Sequence, residues 1–183
     1  MSVPLSKQGK MIRELQKLVQ KLPVEYQIKL PRKFLVELAS SLLDETVFDI
    51  VKNLTDIQQM TEKSLFERRM NLVNSHRASK DKVLQRHRVA LDNEYMLNPQ
   101  NAECLRLKQA MEIKELDQHH EEELTHLDMK VIMELDQSVS DQQITLQKVG
   151  VPGFFLSNKP EDVRLQMYLL EFITFLSSKE LRT

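Results

Sequence analysis

No glycine occurs between Gly9 and Gly150 in this chain of 183 residues. Glycine supplies the positive φ angles of tight turns and lets backbone approach a ligand closely. A doubly wound α/β domain needs it for both purposes, and a β-sandwich needs a turn every ~8–12 residues. A glycine-free run from Lys10 to Val149 excludes both classes. With 29% charged residues, 5% aromatics and no Trp, the chain reads as all-α.

Apolar spacing divides that run into helices. Met11, Leu15, Leu18 and Leu22 recur at four-three-four spacing, flanked by Ile12 and Val19, so a first helix is expected over about 6–22, ended by Pro23. Pro31 suits the first turn of a second helix over about 32–43, with Phe34, Leu35, Val36, Leu38, Leu42 and Leu43 around most of its circumference. Asp44 and Glu45 either cap a new helix or mark a kink; the residues leave both open. From there Val47, Ile50, Leu54, Ile57, Leu65, Leu72, Val83 and Leu91 continue a seam to Leu97, about 80 Å at ~1.5 Å per residue. That is too long for a globular core helix and reads as coiled coil.

Asn98-Pro99 breaks the seam, with Asn98 as cap and Pro99 in a first turn. A partner helix then extends to Val149, with Ile113, Leu116, Leu124, Leu127, Val131, Leu135, Val139, Leu146 and Val149 as its seam. Ile113, Leu124, Leu135 and Leu146 repeat every eleven residues, which implies a nearly straight pair. Two long helices with one short connection make an antiparallel hairpin.

Charge supports that folding. The net charge of −1 gives no global attraction to nucleic acid or to an acidic membrane surface. Residues 68–91, however, hold seven basic groups and one acidic, while the facing residues 108–131 hold seven acidic and three basic, if opposed numbers sum to about 199. Such a pattern sets orientation and partner choice. Two chains paired antiparallel would satisfy it equally, so a homo-oligomer is an alternative arrangement.

Gly150-Val151-Pro152-Gly153 ends the second long helix, with glycine in the left-handed position. Ser157 or Asn158 is expected to cap a last, buried helix that has Pro160 in its first turn and Glu161 and Asp162 complementing its dipole. The expected organisation is 1–43 and 150–183 as a small helical head and 44–149 as the hairpin, with its turn near 98–100.

Chemistry has few candidate sites. His119, Glu123 and His126 come nearest, because Glu123-x-x-His126 has the spacing of di-iron bundles. No second copy exists, and Leu124 stands where the His-Glu-x-x-His motif needs its second histidine. A solvated acidic face explains the cluster better. Ser40, Ser41 and Ser138 lack a glycine elbow, and Cys104, the sole cysteine, has Glu103 beside it, which disfavours a thiolate. No catalytic, cofactor or metal residue is therefore assigned, and no cofactor is expected. The basic strip 68–91 could meet nucleic acid through Arg86 and Arg88, yet it contains no aromatic to stack on bases. No apolar run approaches a membrane span, and Met1 to Lys10 lacks the core of a secretory signal. A soluble, intracellular protein is the expectation, with the cytoplasm as one location for it.

Two segments carry a resemblance. One is Leu42-Leu43-Asp44-Glu45-Thr46-Val47-Phe48-Asp49-Ile50-Val51 with Thr61-Glu62-Lys63-Ser64-Leu65. The other is Asp141-Gln142-Gln143, Thr145-Leu146 and Gly150-Val151-Pro152-Gly153-Phe154, followed by the helix around Leu165-Gln166-Met167-Tyr168. Over about residues 5–180 the chain resembles the gonadal protein family, which includes the DiGeorge-syndrome critical-region protein, and looks nearest to its insect members. The resemblance implies a small coiled-coil protein, nuclear in vertebrates, with a developmental or germline role and no assigned enzymatic activity or cofactor. The expected function is accordingly non-enzymatic: an interaction or scaffold protein binding other helices through Phe66, Val89, Leu107, Met129 and Met133. Nucleic-acid association through residues 68–91 is the alternative.

Overall fold

The computed structural model describes residues 5–180 and is all-α. The helices are α1 (Lys7–Gln20), α2 (Val24–Gln27), α3 (Arg32–Ser41), α4 (Thr46–Leu97), α5 (Pro99–Val149) and α6 (Pro160–Glu180). Ser6 caps α1, its Oγ accepting the Gly9 N–H at 3.2 Å. Pro31 lies just ahead of α3 in an extended conformation, not inside its first turn, and α3 stops at Ser41 rather than Leu43.

The open choice at Asp44 and Glu45 resolves into a break. Glu45 has φ 64, in the left-handed region that ends a helix, and the Asp44 carboxylate accepts the Thr46 N–H at 3.1 Å to start α4. Asn98 separates the long helices as expected, with Pro99 the first residue of α5. At the far end of α5, Gly150 (φ 91) donates to the Gln147 carbonyl and Val151 to the Leu146 carbonyl, both at 3.1 Å. These are the two bonds of a Schellman motif, and buried Val151 and Leu146 supply its apolar contact. Ahead of α6, neither Ser157 nor Asn158 holds the cap position. Lys159 does, its carbonyl accepting from Val163, while the Ser157 Oγ accepts the Lys159 N–H and donates to Asp162.

The chain forms two compact units. One takes the residues up to Gln59 and those from Asp136 onward; the other is Met60–Leu135. In the first unit α1 packs on α2, α3 and α6. Leu15, Leu38, Leu42, Leu146, Leu169 and Ile173 are fully enclosed, each contributing ~1.5–3 kcal/mol by leaving water. Val47, Phe48 and Val51 of α4 join that core, so the packed unit reaches further along both long helices than the 43/44 and 149/150 junctions. Ile57 and Val149, expected on the seams, are exposed. Ile57 falls out of step with the eleven-residue spacing from Leu54 to Leu65, and Val149 ends its helix.

In the second unit α4 and α5 run antiparallel, joined at Asn98. Leu65 is buried and Leu72, Val83 and Leu91 are half-buried on α4. Facing them, Ile113, Leu116, Leu124, Leu127 and Val131 are half-buried on α5. A two-helix seam covers only one stripe of each helix, which leaves the rest of both surfaces to solvent.

Candidate interaction site

The seam of the second unit is partly polar. Leu65, His76 and His87 recur at eleven-residue spacing, as do Gln109, His120 and Val131 on α5. Histidines thus occupy positions that the repeat assigns to the inside. His76 and His120 stack with ring centroids 4.0 Å apart and planes 7° from parallel. His87 is 8% exposed; its Nε2 lies 2.8 Å from Glu112 Oε2, and its carbonyl accepts from Gln109 Nε2 at 3.0 Å.

Around this seam the charges meet as the sequence pattern foretells. Arg68 reaches Glu134 at 3.0 Å, Arg69 reaches Asp128 at 2.8 Å and Lys80 reaches Asp117 at 2.7 Å. Arg86 pairs with Glu112, and His76 Nε2 lies 2.8 Å from Glu123 Oε2. Every partner falls within three positions of the one expected from a sum of 199. Exposed pairs of this kind contribute only ~0.2–1 kcal/mol each, so they hold register more than they hold the fold.

Burial, then the neighbouring His76, pushes His120 below its ordinary value. The hydrogen bond from His76 pulls Glu123 below the usual carboxylate range, and that from His87 does the same to Glu112. The signs agree. Protonating His120 is disfavoured in the fold, so its contribution is complete above the unfolded histidine value near ~6.5 and declines as pH falls below it. The two carboxylates stabilise above the unfolded value of 4.5 and lose that contribution as pH falls through their lower folded values. The groups facing His120 are His76 from α4 and His119, Glu123 and Asp117 on its own helix. Acidification from pH 7.5 to 5.5 is expected to lower the amide protection factors, measured against the intrinsic exchange rate at each pH, in Met60–Leu135. His120→Leu should raise the unfolding temperature more at pH 5.5 than at pH 8, by about 2–4 °C for each ~1 kcal/mol gained. An equal rise at both pH values would refute the coupling.

The sequence-derived site residues scatter. His119 and Glu123 approach at 2.8 Å, but both belong to the His76 rung, while His126 lines a shallow outer depression with Glu122 and Met129. No group of three or more His, Cys, Asp or Glu able to hold a metal occurs among the described residues. Cys104 is exposed near the turn, and Ser41 donates to the Leu38 carbonyl inside α3. Ser40 lies in the same helix and Ser138 in α5. Of the seven basic groups in 68–91, Arg68, Arg69, Lys80 and Arg86 are neutralised by α5, which leaves Arg77, Lys82 and Arg88 toward solvent. The apolar positions are where the spacing puts them: Phe66, Val89, Leu107, Met129 and Met133 are all exposed, Phe66 by 64% and Met133 by 70%. Met70, which its residue type suggests as an adaptable core or seam side chain, is exposed instead, as is Ile132. The stacked histidines were missed; their signal was the same eleven-residue step, applied to polar residues.

The geometry defines an all-α helical-hairpin protein with a laced polar seam and an exposed apolar strip. Among the described residues no helix is long and apolar enough to cross a membrane. Residues 5–183 match the family described as DiGeorge syndrome critical region 6 (DGCR6) protein. The chain is 42% identical over 171 residues to "Protein DGCR6" of Gallus gallus, covering 93% of this chain and 84% of that one. It is 36% identical over 156 residues to "Gonadal protein gdl" of Drosophila melanogaster, covering 85% and 72%. The chain therefore belongs to the DGCR6 family, and identity to the chicken protein exceeds that to the insect one, reversing the expected order. No solved structure matches it.

Proposed function

We propose that this protein is a non-enzymatic interaction module whose hairpin binds other proteins through helical contacts. The observation that carries the reading is the exposure of Phe66, Met70 and Ile132 at the level of the Arg69–Asp128 pair, with Met129 and Met133 exposed on the adjoining outer surface of α5. An apolar patch beside charged rungs is the surface that an amphipathic helix covers. Methionine suits such a surface because its unbranched side chain adapts to different partners. The name of the insect relative supports a germline or developmental setting, and a nuclear site of action belongs to the same proposal. Nucleic-acid binding loses ground because α5 neutralises most of the basic strip.

A photo-crosslinking amino acid placed at Met129 or Met133 of the full chain tests the reading in cells, with Asn74 as the control position. Covalent polypeptide adducts from the two methionine positions, absent at Asn74, are expected. The absence of adducts from either methionine position would overturn it.

A further inference from the structure

We propose that the occupant of the Phe66, Met70 and Ile132 part of the apolar surface is a second copy of this chain, laid flank against flank so that α4 of each copy rests on α5 of the other. This rests on the interaction reading above and names the partner. In an antiparallel helix pair, the residue after each seam position falls on the same flank of both helices. The ion pairs Arg69–Asp128 and Lys80–Asp117 mark that flank. Along it α4 presents Phe66, Met70, Arg77, Leu84 and Arg88, and α5 presents Lys114, Glu121 and Ile132, all of them exposed. Arg77 and Glu121 take no part in the ion pairs between α4 and α5 found among the described residues.

A two-fold axis parallel to the helices, lying against this flank, exchanges α4 for α5 and leaves the height along the hairpin unchanged. The register between copies is then the register within one copy. Phe66 and Met70 meet Ile132 of the partner subunit, and Arg77 meets Glu121 of the partner subunit. Each contact occurs twice, as an isologous interface requires. The other two-fold arrangement lays α4 on α4 and sets basic strip against basic strip, which like-charge repulsion disfavours. The Arg77–Glu121 pair, made twice, outweighs the looser approach of Arg88 to Lys114 at the far end of the flank, and it favours this direction over the one that sets basic strip against basic strip.

Sedimentation equilibrium of the full chain over a range of concentrations is expected to show a reversible species of twice 21.5 kDa. Ile132→Lys should yield monomer with unchanged helical circular dichroism, because the side chain is already 58% exposed and supports no core. Arg77→Glu and Glu121→Arg should each weaken the dimer about tenfold by placing like charges opposite, and combining them in one chain should restore it. A chain that is monomeric at every concentration overturns the proposal. A dimer indifferent to both single charge reversals does so as well. Should the crosslinks at Met129 and Met133 capture a different polypeptide while the chain stays monomeric, the interaction reading survives and this one fails.

Discussion

Gly153→Ala is expected to destabilise the protein by about 2–6 kcal/mol, a large share of the ~5–15 kcal/mol that holds a typical domain. Two costs combine. Gly153 has φ +88, where an L side chain is strained by ~1–3 kcal/mol. An added Cβ would also sit 2.7 Å from Leu169 Cδ1 and 2.8 Å from Phe34 Cζ. Leu169 is fully enclosed in the core, so relief requires repacking, at ~1–3 kcal/mol. Gly150→Ala separates the two terms. Gly150 has φ +91 but nothing within 4 Å of a built Cβ, so it should show the backbone cost alone. Thermal and denaturant unfolding of both variants measures the difference. Equal losses at the two positions would mean that the contact at Gly153 yields freely.

The second large effect is expected at Gln143. This side chain is 2% exposed and holds the backbone of Ser157 at two points. Its Nε2 donates to the Ser157 carbonyl at 3.0 Å, and its Oε1 accepts the Ser157 N–H at 3.2 Å. Gln166, also buried, donates to the Phe155 carbonyl at 3.1 Å. Two amides from α5 and α6 thereby do for residues 154–159 what a ladder of main-chain bonds does for a strand. Gln143→Leu keeps the bulk but removes both partners of Ser157, and an unsatisfied buried polar group costs ~1–3 kcal/mol. A loss of about 2 kcal/mol or more is expected, together with faster amide exchange over 154–159. Unchanged exchange there would show that water replaces the amide without penalty. Gln143→Glu should cost at least as much at neutral pH, because a buried carboxylate would set an acceptor against the Ser157 carbonyl that the amide now donates to.

Much of the fold follows from spacing alone. The eleven-residue step from Ile113 to Leu146 marks the inside of α5, and Asn98-Pro99 places the turn because proline cannot continue α4. Gly150 could be read as a helix terminator for the same local reason, since left-handed backbone favours glycine. Local steric rules act within a few residues, and such rules are visible in a string of letters. The exposed strip was partly legible too: Phe66, Met129 and Met133 fall off the seam by simple count.

Other features depended on residues distant in the chain. The break at Glu45 pits a non-glycine residue against its own backbone preference; the residues marked the place but left a cap and a kink equally open. Gln143 looks like any polar helix residue until Ser157 folds back onto it. His76 and His120 read as surface histidines while each helix is considered separately, and they stack only once α4 and α5 lie side by side.

The amino-acid order by itself determined the long helices, the turn at Asn98-Pro99, the stop at Gly150 and the matching of basic with acidic residues, because each arises from periodicity or from the backbone limits of one or two residues. Tertiary structure alone decided how the inward polar groups pair and which arginines stay free, because pairing is a property of two surfaces meeting. It also drew the boundary at Gln59 and Asp136, where the long helices pass from a many-sided core to a seam only one stripe wide.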